Sequence, residues 1–160
     1  MKQEPQSEHH WLHKMVGDWT NEGEASMGPD KPPMHFTGTE TVRSIGGLWI
    51  VAEGQGRMPG ESGTSTLMTL GYDSARKRFV GTFVASMMTH LWIYDGALDA
   101  EGRKVVLETE GPGFSGDGAM AKYRDRVEFV NDDHRILASE ILLEDGSWSE
   151  FMKAHYRRKA

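Results

Sequence analysis

The sequence contains no cysteine, which excludes disulfides, thiolate catalysis and cysteine-ligated zinc together. It has no apolar run near the roughly 18 residues of a membrane span. Its polar start, Met1-Lys2-Gln3-Glu4-Pro5-Gln6, lacks the apolar core of a signal peptide, so a cytoplasmic protein is expected. An excess of positive charge is missing too. The net charge of −6 disfavours nucleic acid, whose phosphates need a basic surface. Arg157-Arg158-Lys159 is too short a basic cluster for a membrane or nucleic-acid patch and reads as a solvated tail. No Gly-x-Ser-x-Gly elbow, P-loop or dinucleotide fingerprint occurs, and most of the glycines sit at turn positions.

What is present suits one globular domain. The 160 residues are 38% hydrophobic and 26% charged, enough apolar material for a single core and too much for a disordered chain. Residues 1–6 are expected to form a flexible N-terminus and 7–158 the domain. The 10 methionines suit irregular core filling and also the lining of an adaptable ligand pocket.

Ser7 is a plausible N-cap for a short helix over 8–16, with Trp11, Leu12, Met15 and Val16 on one face. Gly17 ends it. From there the hydrophobic period is two. Strands are expected over 19–25, 35–45, 48–56, 64–72, 78–85, 90–98, 104–110, 120–130, 135–143 and 148–157. Loops are expected over 28–33 and 58–63, and Gly46-Gly47 is a two-residue hairpin signal. The stretch 111–118 is the most glycine-rich loop. About ten hairpin-linked strands without a crossover helix predict an all-β fold, a closed antiparallel up-and-down barrel, because closure removes both exposed edges. A two-sheet sandwich is the rival architecture.

Gly17-Asp18-Trp19 after a short helical turn resembles the opening of lipocalin-like (calycin) barrels, in which the tryptophan plugs one end. With Glu22-Gly23-Glu24 and Glu40, the same opening is similar, more distantly, to nitrobindin-like barrels, which bind haem. A broader resemblance runs through Met15-Val16-Gly17-Asp18-Trp19, residues 36–44, Gly46-Gly47-Leu48-Trp49, Thr69-Leu70-Gly71-Tyr72-Asp73 and residues 86–92. These look like an uncharacterised bacterial family known only as a domain of unknown function. The nitrobindin likeness implies a haem-ligating histidine near the end of the last strand. His155 lies there, in surroundings that do not reproduce the haem motif.

Alternate residues of a barrel strand face inward, so polar residues in phase with large apolar ones are the informative ones. On the sixth strand Met88, His90, Trp92 and Tyr94 share a phase and are assigned to the interior. The third strand puts Trp49, Val51, Glu53 and Gln55 on one face, and the second Phe36, Gly38, Glu40 and Val42. If Glu40 and Glu53 point inward they need Arg43 or Arg124 beside them, because isolated buried carboxylates are too costly. The alternative is cross-strand ion pairing on the wet outer face. The last strand is assigned Trp148, Glu150, Met152, Ala154 and Tyr156 inward, with His155 outside. Tyr72 and Tyr123 could offer hydroxyls to a carbonyl. His9 and His13, at i and i+4, are a two-ligand metal candidate too weak to adopt.

The leading function is therefore a barrel that binds a small apolar or amphipathic molecule, with Glu40, Trp49, Glu53, Met88, His90, Trp92 and Met152 as ligand-binding candidates. The N-terminal helix and the 111–118 loop would close or flank the mouth. Alternatives are an enzyme (isomerase, cyclase or hydrolase) using His90 or Glu53 as acid or base, and a haem protein. Barrels of this kind also allow a homodimer, which nothing in the sequence fixes.

Overall fold

The computed structural model describes residues 1–26, 28, 30–57 and 62–160. Most of the loop expected over 58–63 thus lies outside the described residues. One helix, α1 (Ser7–His13), precedes ten strands: β1 (Gly17–Ala25), β2 (Met34–Ile45), β3 (Trp49–Arg57), β4 (Thr64–Asp73), β5 (Arg78–Ala85), β6 (Trp92–Leu98), β7 (Lys104–Pro112), β8 (Met120–Asn131), β9 (His134–Leu142) and β10 (Trp148–Arg158). Each strand pairs antiparallel with the next, and β1 pairs with β10, so the sheet closes. The closed up-and-down barrel expected from the hairpin pattern is the observed fold, and the sandwich is not.

Local chemistry explains the turns. Gly46 and Gly47 both have positive φ (65° and 78°), the left-handed pair that lets two residues reverse β2 into β3. Asp73 and Asp99 accept backbone N–H bonds inside the β4–β5 and β6–β7 turns. Gln6, not Ser7, caps α1: its side chain bonds the N–H of His9, whose ring accepts the N–H of Gln6. The Ser7 hydroxyl bonds Glu8 instead. The helix is also one turn shorter than the apolar spacing suggested.

α1 stops one end of the barrel. The indole N–H of Trp11 donates to the carbonyl of Gly102, and His13 bonds Ser44, both at turns of that end. Trp19, fully buried, donates its indole N–H to Met15 O at 2.8 Å. Beneath the helix, Val42, Ile50, Leu70, Phe79, Leu107 and Val127 fill the lower barrel as one apolar cluster. The glycine-rich loop joins β7 to β8 at the opposite end. The helix is therefore a plug far from the mouth, whereas the glycine-rich loop lies at the opening. No helix among the described residues is long and apolar enough to cross a membrane.

Candidate functional site

Above the apolar plug the barrel is hollow. A cavity of about 800 Å³ opens at the end of the barrel away from α1 and draws its lining from all ten strands and three loops. Its upper wall is apolar and aromatic. Trp92 lies across Gly111 of the neighbouring strand, where a Cβ would sit 2.1 Å from the ring, so only glycine permits that pose. Edge-to-face contacts run from His90 to Trp92 (4.7 Å between centroids), to Tyr123 (5.1 Å), to Phe151 (5.8 Å) and on to Phe114 (5.0 Å). Phe36, Phe83, Met68, Met88, Leu137 and Met152 complete the apolar surface.

Lower in the cavity the lining turns polar. Tyr94 donates its hydroxyl to Asp125 Oδ2 at 2.5 Å, and Ser139 also hydrogen-bonds Asp125. Burial pushes the Asp125 carboxyl above the usual carboxylate range, and the two hydrogen bonds only partly oppose this. Burial, with the Asp125 charge, pushes the Tyr94 phenol well up. The Tyr156 phenol is raised by burial and by Glu40. Glu40 lines the cavity and pairs with Arg135, whose guanidinium is stacked between Tyr156 (4.1 Å) and Trp19 (4.7 Å). Arg135 is only 2% exposed, so this ion pair is buried on the cationic side.

The sequence candidates divide between the two faces of the wall. Glu40, Met88, His90, Trp92 and Met152 line the cavity. His90 does so from the loop before β6, which starts at Trp92, and its Nε2–H donates to Glu110 O at 2.8 Å. Trp49 and Glu53 do not line it. The inner face of β3 is Ile50, Ala52, Gly54 and Gly56, which turns Trp49 and Glu53 outward. Trp49 covers Gly71 on the outer surface, and Glu53 lies 3.6 Å from Arg43 there. Arg124 is likewise outside, on Glu140. The proposed cluster of Glu40 and Glu53 with Arg43 or Arg124 is not formed, and of the two acid–base candidates His90 lines the cavity while Glu53 stands on the outer face.

The last strand also departs from strict alternation. A bulge between Glu150 and Met152 shifts the register against β9. Trp148 and Glu150 are turned outward, to Arg124 and Arg126, while Met152, Ala154 and Tyr156 remain inside and Phe151 joins the lining. His155 is outside as expected, with Nδ1 2.9 Å from His134 Nε2. A haem in the cavity therefore finds no axial ligand in His155. Both ring nitrogens of His9 are engaged, Nδ1 by the Gln6 N–H and Nε2 by Tyr72 O, leaving no lone pair for a metal. Tyr72 packs at the plugged end against Phe79, and Tyr123 donates its hydroxyl to Pro112 O.

Asp125, Arg135, Ser139 and Thr109 were not singled out in the sequence. Asp125 carries the clearest signal, since it falls in phase with Tyr123, Val127 and Phe129 along β8. Arg135 carries none: its partner is 95 residues away.

Comparison with known proteins extends the fold. The S-type phycobiliprotein lyase CPES from Guillardia theta superposes with a TM-score of 0.60 at 15% identity, over 97% of this chain and 94% of that one. Rv2717c from M. tuberculosis gives 0.67 at 13% identity, over 98% and 100%. EF1p2_mFAP2b, solved bound to DFHBI, gives 0.52 at 9% identity, over 96% and 100%. At these identities the likeness is one of fold. No curated protein sequence matches the chain. A family model described as "Protein of unknown function (DUF1579)" matches residues 4–158, and the chain belongs to that family.

Proposed function

We propose that this protein binds a small amphipathic molecule inside the barrel, apolar body against the aromatic upper wall and polar end toward Tyr94, Asp125 and Tyr156. The observation that carries this reading is the cavity itself. Its volume of about 800 Å³ falls in the range of ligand pockets, it lies beyond the end that α1 plugs, and an aromatic wall stands above a polar floor. A core built for stability alone would be filled: lower in the same barrel, Leu70, Phe79 and Leu107 pack to essentially zero exposure. Support also comes from two proteins of similar fold, one a phycobiliprotein lyase and one solved with a small molecule bound.

The reading is tested with Nile red, a neutral dye that brightens in apolar surroundings. Wild-type protein takes up the dye. A variant with Leu137→Trp and Ala154→Phe, which fills the cavity from two adjacent strands, does not. An equal response from both proteins would place the dye on the outer wall and end the proposal.

A further inference from the structure

Two carboxylates line the cavity among the described residues, and they are not equivalent. Glu40 has a cation, Arg135. Asp125 has none. Its partners are the neutral hydroxyls of Tyr94 and Ser139. The arginines beside it in sequence, Arg124 and Arg126, lie on the outer face with Glu140 and Glu150. The other cations of the lining, Lys31 and Arg57, belong to the mouth, in the loop after β1 and at the last position of β3.

A second observation points to the same place. Thr109 lines the cavity at 8% exposure, and its Oγ1 is buried with no hydrogen-bond partner among the described residues. It pairs with Tyr123 across the β7–β8 ladder, and the β6–β7 register puts it next to Tyr94. A buried hydroxyl without a partner thus lies on the same inner wall as a carboxylate without a cation. Unsatisfied buried groups of this kind are costly and are retained where something else completes them. The rings around them, Tyr94, Tyr123, Tyr156 and Trp92, offer π faces that attract cations and repel anions.

We infer that the ligand carries a protonated nitrogen, an amine or amidine on an apolar body, and that this group pairs with Asp125 at the cavity floor. The inference rests on the cavity being a small-molecule site and adds the charge of the molecule. A carboxylate-bearing ligand would meet Asp125 head-on, since Arg135, the deep cation among the described residues, is already taken by Glu40.

Three probes of equal shape separate the possibilities: pyrenylmethylamine (cationic at neutral pH), pyrenylmethanol (neutral) and pyrenecarboxylate (anionic). Each is followed by quenching of tryptophan emission, Trp92 being in the wall. Wild-type protein should hold the amine about tenfold more tightly than the alcohol, with the carboxylate weakest. In Asp125→Asn the advantage of the amine over the alcohol should disappear. The wild-type series decides the question by itself if the variant fails to fold. An amine bound no better than the alcohol, or not at all, overturns the inference, as does a preference that survives Asp125→Asn. Nile red distinguishes the two levels. Uptake without an amine preference defeats only the charge assignment, whereas no uptake defeats the cavity reading as well.

Discussion

Replacing Glu40 with leucine leaves the Arg135 guanidinium buried without its anion. Arg135 is 2% exposed, and its Nε already has no partner among the described residues, so nothing nearby takes over. Breaking a buried pair from one side costs about 3–5 kcal/mol. Two features place this case toward the lower end. The Glu40 side chain is 12% exposed to an open cavity, from which water can reach the arginine, and the Tyr156 and Trp19 rings keep their cation–π contacts. A loss of about 3 kcal/mol corresponds to a fall in Tm of roughly 6–12 °C for a chain of this size. Adding Arg135→Met removes the stranded charge, so the double variant should be more stable than Glu40→Leu alone. Urea denaturation of the four proteins gives the coupling directly. A Glu40→Leu variant within 1 kcal/mol of wild type, or a double variant as costly as the two single changes summed, would refute the reasoning.

Three further outcomes follow from the same contacts. Trp19→Phe removes the N–H bond to Met15 O and part of the plug, and should cost about 2 kcal/mol, read as faster amide exchange across α1. Asp125 has a raised folded pKa, so its contribution to stability is full below the unfolded carboxylate pKa and declines as pH rises through the folded value. Asp125→Asn should therefore melt no lower than wild type at neutral pH and lose that advantage in acid, and a lower melting temperature at neutral pH would contradict the assignment. His134 has a depressed pKa, through burial first and then Arg157 and His155. Its contribution is present above the unfolded histidine pKa and lost as pH falls through the folded value, and His155→Ala should move its NMR titration upward.

The architecture was legible because turn chemistry and a period of two repeat ten times. Gly46-Gly47 and the aspartate turns mark strand ends locally, and closure follows from the strand count. The facing of individual strands was harder to read. On β3 the bulky set Trp49, Val51, Glu53 and Gln55 looks like a lining, yet the inner set is Ile50, Ala52, Gly54 and Gly56. The glycines at 54 and 56 are themselves the signal, because a hollow wall needs small residues on its inner face. On β10 one bulged residue near Phe151 reverses the phase of everything before it, and no residue type in the sequence marks that position. The polar floor was the least legible part. Glu40 and Arg135 lie on strands that are not neighbours, and Asp125, although in phase with Tyr123 and Val127, sits between Arg124 and Arg126, which make the segment read as a charged outer face until both are seen to point away.

Native mass spectrometry of protein purified without denaturation from its own host tests the central claim most directly, alongside the cavity-filled variant Leu137→Trp/Ala154→Phe. The account expects a defined small-molecule adduct on the wild-type chain and the bare polypeptide mass for the filled one. A wild-type chain at its bare mass, or an adduct that survives filling of the cavity, would contradict it.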